Sequence, residues 1–259
     1  MKRLALLIAF AAAGAALSVA TVAHAGSAHT ATGTTTTSTT STTTTTVLPN
    51  PNIPYVKKFP AAGELTVISI KVRRGPSETA KSFRVMHDFR PDYRRQEILA
   101  VDVQIDENGT PWYKISVPMR PNGTYGWIPA ASADLKPTHS EIVVDRGART
   151  IDVFRNNKHV VHAIVAVGAP GMETPLGHFY VAATFQPVND PFLGVWALET
   201  SAYSKLTEWP GGGLVGIHGT NQPELLGQAV SHGCVRVSNA TAAQLKRYAP
   251  VGTPIWIKA

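Results

Sequence analysis

Between residues 64 and 137, apolar and polar positions alternate over short stretches that keep breaking at turn residues. Leu65-Thr66-Val67-Ile68-Ser69-Ile70-Lys71-Val72 is β-branched and reads as one strand ending at Arg74-Gly75-Pro76. Ile98 to Ile105 alternates ahead of Asp106-Glu107-Asn108-Gly109, which is a hairpin signal. Trp112 to Val117 and Thr124 to Ile128 continue the pattern around Asn122-Gly123. About five short strands with turn punctuation predict a small β-barrel. Trp112 and Trp127 are candidates to line a groove, although packing suits them better.

From Ser140 onward the pattern predicts a second β-rich domain, and the short stretch Asp134 to Ser140 between the two suggests that they touch. Glu141 to Asp145 and Thr150 to Phe154 flank Arg146-Gly147, and Asn156-Asn157 turns the chain into His159 to Val167. His159 and His162 fall on opposite-facing positions of a strand and make no pair. Gly177 to Thr184 alternates, with His178 an ordinary strand residue. Phe185 to Trp209 is rich in proline and aromatics and reads as a long irregular excursion, in which Trp196, Tyr203 and Trp209 either wall a cleft or pack. Leu214 to Ile217 delivers His218, and Pro223 to Gln228 is a helical turn. Ser238 or Asn239 caps a helix through Tyr248, ahead of a last strand, Ile255 to Lys258.

The N-terminus changes the picture from a fold to a location. Lys2 and Arg3 precede an apolar run, and Ala23-His24-Ala25 offers a small-x-small cleavage site, so Met1 to Ala25 reads as a signal peptide or an uncleaved anchor. No later segment is apolar enough to span a membrane. Residues 26–63 read as a Thr/Pro-rich disordered linker, because Thr32 to Thr46 carries no large apolar side chain to bury. The boundaries are then 1–25, 26–63, 64–138 and 139–259. The formal net charge of +7 suits a protein exported to polyanionic envelope polymers as well as it suits plain solubility. With no basic run interleaved with aromatics, the sequence argues against nucleic acid.

Export makes the single cysteine informative. Cys234 has no partner for a disulfide, and a lone thiol in an oxidising compartment points to chemistry rather than packing. It lies in Ser231-His232-Gly233-Cys234-Val235-Arg236, with His218 upstream. An imidazole deprotonates a neighbouring thiol, and Gly233 permits a tight backbone whose amides form an oxyanion hole. Arg236 suits a carboxylate. Cys234, His232 and His218 are also metal-ligand types, but a fourth ligand at convincing spacing is lacking.

His218-Gly219-Thr220-Asn221, then Ser231-His232-Gly233-Cys234-Val235-Arg236 and Asn239, resemble the signature of the L,D-transpeptidase catalytic (YkuD-like) family. Thr174-Pro175-Leu176-Gly177-His178-Phe179-Tyr180 resembles the strand motif ahead of it. The resemblance implies a β-sandwich catalytic domain with short helices and a two-step acyl transfer without metal or cofactor. Cys234 would attack a peptidoglycan stem tetrapeptide, form a thioester with loss of D-alanine, and pass the acyl group to an amine, joining third residues. His218 matches the base, oriented by the Gly219 carbonyl. His232 and Gly233 match the surroundings of the oxyanion, and Arg236, Ser231 and Asn239 match positions that hold substrate or loop. Tyr203 joins them as a candidate cleft wall. A hydrolase that trims D-alanine through the same thioester, and an inert wall-binding protein, are the alternatives. Val72-Arg73-Arg74-Gly75-Pro76-Ser77, Trp112-Tyr113-Lys114-Ile115 and Gly126-Trp127-Ile128 resemble a bacterial SH3-like domain.

Overall fold

The computed structural model describes residues 54–208 and 210–259; the readings for Met1 to Ala25, for Thr32 to Thr46 and for Trp209 lie outside them. Among the described residues no helix is long and apolar enough to cross a membrane. The fold is mostly β. The first sheet comprises β1 (Ala61–Leu65), β2 (Ser69–Arg73), β3 (Ser82–His87), β4 (Glu97–Ile105), β5 (Pro111–Ser116), β6 (Tyr125–Pro129) and β7 (Ala133–Pro137), ordered β3-β2-β6-β5-β4-β1-β7. All its pairings are antiparallel. Its core gathers Val72, Ile98, Tyr113, Ile115, Ile128 and Leu135. Trp112 is fully buried with its indole N–H donated to Asp106, and Trp127 is buried too, so both serve packing.

Three sequence expectations fail here for identifiable reasons. Leu65 to Val72 is not one strand: at Thr66 the backbone leaves β1 and its N–H donates to the Ser132 carbonyl at 2.9 Å, so pairing resumes only at Ser69. The linker does not run to residue 63. Tyr55, Val56 and Phe59 pack on the first core, the Val56 N–H donates to Tyr113 Oη at 2.6 Å, and Ala61 already pairs with Ala100. Nor is residue 134 the start of a connector, because β7 pairs with β1 from Ala133 to Pro137.

The second sheet contains β8 (Ser140–Asp145), β9 (Thr150–Arg155), β10 (Lys158–Ile164), β12 (Gly177–Phe185), β13 (Ala197–Tyr203), β14 (Leu214–His218), β16 (Val235–Arg236) and β17 (Pro254–Lys258). The order is β10-β9-β8-β17-β12-β13-β14-β16, while β11 (Val167–Gly168) and β15 (Ala229–Ser231) form a separate parallel pair. Beyond β10, Ala166 exchanges two backbone hydrogen bonds with Arg236. That exchange brings the two ends of the sheet together around one core of Ile142, Ile151, Leu198, Ile217, Val235 and Ile255. The helix α1 (Asn239–Tyr248) starts at Ser238, whose Oγ accepts from the Thr241 N–H at 3.0 Å. It lays Ala242 and Leu245 on this core.

The excursion after Phe185 is less irregular than its composition implies. Ala197–Tyr203 forms β13, an interior strand between β12 and β14. Its residues are mostly buried, on both faces, so no alternation advertises it. A further correction concerns β10: its register against β9 shifts between His159 and Val161, and this bulge returns His159 and His162 to one exposed face. His178 is a strand residue, stacked on Trp256 with ring centroids 5.7 Å apart.

The two sheets meet along a seam. Leu99 of β4 clusters with Tyr180 and Ala182 of β12, and Tyr180 Oη donates to the Glu97 carbonyl at 3.0 Å. Arg90 and Arg94 of the first sheet's β3–β4 connection both ion-pair with Glu199 on β13.

Candidate active site

β14 and β16 run parallel, with Ile217 beside Val235 and His218 beside Arg236, so Gly216 lies level with Cys234. Gly216 and His218 share one face of β14. The Gly216 N–H donates to Cys234 Sγ at 3.3 Å. A Cβ placed on Gly216 would stand 3.8 Å from His218 Cδ2 and 3.9 Å from Cys234 Sγ. Thiol and imidazole therefore approach the same point from two sides, and the missing side chain keeps that point open.

His218 is 3% exposed, and its Nδ1 lies 2.7 Å from the Gly219 carbonyl oxygen. A carbonyl only accepts, so Nδ1 carries the proton and Nε2 keeps its lone pair. Burial pulls the His218 imidazole below its ordinary range, against the Gly219 contact, which favours the protonated ring; Arg236 adds to the lowering and Asp190 opposes it. Burial likewise pushes the Cys234 thiol up, opposed by the Gly216 amide and by Arg236. The resting pair is a neutral thiol beside a neutral imidazole, ready for proton transfer as the bond forms.

The turn around Cys234 is braced from within. Ser231 Oγ donates to the Cys234 carbonyl at 2.5 Å and accepts from the Gly233 N–H at 3.1 Å. Gly233 has φ +117°, and a Cβ there would meet Ser204 Cβ at 3.0 Å, so glycine is required on two counts. Ser231 is thus a loop brace, and the Gly233 amide is already engaged. His232 is exposed on the outside of this turn.

Arg236 is buried beneath Phe192, with its guanidinium 4.4 Å from the ring centroid. Nη1 reaches Gln222 Oε1 at 3.4 Å, while the buried Nε has no partner among the described residues. Phe192 also stands 6.0 Å from His218, ring to ring, and so roofs both groups. Its loop is pinned by Asn239, whose Oδ1 accepts from the Val195 N–H at 3.2 Å. A Cβ on Gly194 or on Gly219 would collide with that same oxygen, at 2.2 and 2.3 Å. Asn239 accordingly holds the loop. Trp196 packs against the core under Lys246 instead of walling a cleft.

Tyr203 joins the site through the other sheet. Asn122 donates to its carbonyl at 2.7 Å and accepts from its N–H at 3.0 Å, and the Arg120 guanidinium lies over its ring at 4.7 Å. Arg120 also donates to the carbonyls of Ser204 and Gly212. A groove of about 700 Å³ opens there, lined by Arg120, Asn122, Arg146, Glu173, Tyr203 and Ser204, the last of which abuts Gly233. The structure thus assembles Cys234, His218, Gly219, Gly233, Ser231 and Arg236, with Asn239 and Tyr203 at the margins. Sequence reasoning missed Gly216, Phe192, Arg120 and Asn122. Phe192 stood in a segment already marked as unusual; Gly216 gave no signal, because its contribution is a backbone N–H and an absent side chain.

Residues 139–257 match the family model of the L,D-transpeptidase catalytic domain, YkuD. "Putative L,D-transpeptidase YkuD" of Bacillus subtilis (strain 168) is 34% identical over 117 residues, which cover 45% of this chain and 64% of that protein. "Putative L,D-transpeptidase YqjB" of the same organism is 29% identical over 130 residues, covering 47% and 72%. The chain thus spans just under two thirds of the first of these relatives. Among solved structures, an L,D-transpeptidase from Mycobacterium smegmatis superposes with a TM-score of 0.39 at 17% identity, covering 61% of this chain and 100% of that one. The catalytic domain of the Enterococcus faecium L,D-transpeptidase gives 0.35 at 24% identity, covering 46% and 96%.

Proposed function

We propose that this chain, whose residues 139–257 match the L,D-transpeptidase catalytic domain model, is a cysteine acyltransferase that cross-links peptidoglycan. One observation carries the reading: Cys234 Sγ and a tautomer-fixed His218 converge on the side-chain-free face of Gly216. In the first step His218 Nε2 takes the thiol proton as Sγ attacks the carbonyl that precedes the terminal D-alanine of a stem tetrapeptide. The Cys234 amide is the donor we assign to the developing oxyanion, since the Gly233 amide is committed to Ser231. The imidazolium then gives its proton to the leaving amine, and D-alanine departs from a thioester on Cys234. In the second step an amine of a neighbouring stem attacks the thioester as the imidazole takes its proton; the C–S bond breaks, the imidazolium returns the proton to the departing Cys234 thiolate, and the cross-link closes. Arg236, with its unpartnered buried Nε, is assigned to a carbonyl or carboxylate of the donor stem.

The groove beside Gly233 is assigned to a stem peptide, with Arg120 and Asn122 of the first sheet setting its wall. The first sheet is read as an SH3-like domain that shapes this groove, and residues 1–25 as the export signal of a protein acting at the cell wall. Incubation with a disaccharide-tetrapeptide, with the products weighed, tests the activity. A cross-linked dimer lighter by one D-alanine and one water than the two reactants is not expected, because the amine replaces the D-alanine directly; the expected dimer equals two substrates minus one D-alanine. Tripeptide alone would make the protein a trimming hydrolase. The absence of any product, together with no covalent adduct on Cys234, would refute acyl transfer.

A further inference from the structure

The bulge in β10 builds a second histidine cluster that acyl transfer does not use. Asp152 of β9 and His162 of β10 are direct cross-strand partners, and the register shift between His159 and Val161 brings His159 to the same carboxylate. His159 Nε2 and His162 Nδ1 each lie 2.7 Å from Asp152 Oδ1. The three ligand atoms all fall within 4.8 Å of one another. Phe154 stacks on the His159 ring with centroids 5.0 Å apart and fixes its plane. The side chains of His159 and His162 are 48% and 58% exposed, so an ion reaches them directly from solvent, while Asp152 at 24% is the anchored member.

We infer that Asp152, His159 and His162 form a binding site for a divalent transition-metal ion of the zinc class. Two imidazoles and one carboxylate are a donor set that suits zinc or copper and is unattractive to magnesium or calcium. Ligand atoms on a tetrahedral ion bound at about 2.1 Å stand roughly 3.4 Å apart, so the present contacts need to open by only about 0.7 Å. Both histidines sit at the exposed surface, with Phe154 stacked on His159 and the two imidazoles edge to face at 6.0 Å. Each neutral imidazole moves its N–H to its other ring nitrogen and turns the freed lone pair to the ion. With three protein ligands on one side, the remaining coordination positions face solvent and hold water or an outside carboxylate.

Zinc titration of the full chain carrying Cys234→Ser, followed by calorimetry, tests this with the competing thiol removed. One zinc per chain is expected, with affinity lowered at least about tenfold by His162→Ala and by Asp152→Ala, since each removes one of only three ligands. His159 and His162 of the unsubstituted protein should also be protected by zinc from diethylpyrocarbonate, read by peptide mass spectrometry. Absence of a one-to-one zinc complex, or an affinity in both variants unchanged from that of the Cys234→Ser parent, or modification of both histidines at the same rate with and without zinc, would overturn the site.

Discussion

In the Cys234 pocket, burial pushes a thiol up and an imidazole down, so both groups rest uncharged and a backbone carbonyl orients the histidine. Along the seam between the sheets the partly buried charges are met by ion pairs: Glu199 sits between Arg90 and Arg94, all within one cluster with Asp92. The contrast follows from what each place must do. In the proposed acyl transfer a proton has to move in the pocket, and a fixed countercharge beside His218 would hold that proton on the ring. Nothing has to move at the seam, where paired charges fix orientation. The two regions are also neighbours, because Glu199 pairs in register with Gly216, whose amide holds the sulfur.

The largest effect that tests this contrast is the loss of the nucleophile. Cys234→Ala should lower cross-linking by about 10⁴-fold or more while leaving the melting temperature close to that of the parent. Product formation at the parent rate would remove the pocket from the chemistry. His218→Asn should cost about 10²–10⁴-fold, the usual range for a general base. The pH dependence examines the neutral pair itself. Alkylation of Cys234 by iodoacetamide should fall as pH drops through a His218 value below the ordinary 6.5, and should keep rising toward the thiol's raised value above 9.0. A rate that stays flat down to pH 5 would mean a preformed thiolate, and the pocket would then be as charged as the seam.

Gly216→Ala sharpens the comparison from the geometric side. The added methyl fits against Leu198 O at 3.4 Å but occupies the point between imidazole and thiol. Cross-linking should drop about 10²-fold, as expected for a small displacement of reacting groups, with stability little changed. A variant as active as the parent would show that the reacting carbonyl does not enter over Gly216. At the seam, Glu199→Ala leaves Arg90 and Arg94 without their shared partner on β13 and should cost about 3 kcal/mol of stability, since the Arg90 and Glu199 side chains are only 13% and 14% exposed. Chemical denaturation measures it, and a change under 1 kcal/mol would make the seam incidental.

How much of this was legible in the sequence differs between the same two regions. Cys234, His218 and Gly219 could be read directly, because reactive side chains in a compact motif carry their chemistry with them. The strands β8, β9 and β12 were legible from alternation, and the helix from its Ser238 cap. The seam was not. β13 is buried on both faces and lacks the alternation that marks a strand, and β7 becomes a strand only because β1 lies beside it. Glu199 is more than 100 residues along the chain from both Arg90 and Arg94, so their pairing belongs to the tertiary fold. The bulge in β10 was hidden for a similar reason, since one extra residue reverses every facing after it.

Glu97 at the seam has no arginine partner among the described residues, and it provides the finest test of the contrast. Glu97 lies opposite Glu64 in the β1–β4 register, and its carboxyl faces Gly252 in the turn before β17, where a Cβ would stand 2.5 Å from Oε1. Burial first, and the like charge of Glu64 second, push Glu97 up to about 8 from an ordinary 4.5. The folded chain therefore keeps this proton over a window in which the unfolded chain has released it. Stability from this group is full below about 4.5 and is lost as pH rises through about 8. Glu97→Gln removes the titration but keeps the shape. Its melting temperature should exceed the parent's at pH 8, converge on it at pH 4.5, and trace a flatter curve between. Parallel curves would show that Glu97 is as well compensated as Glu199, and that the seam, unlike the pocket, tolerates charge throughout.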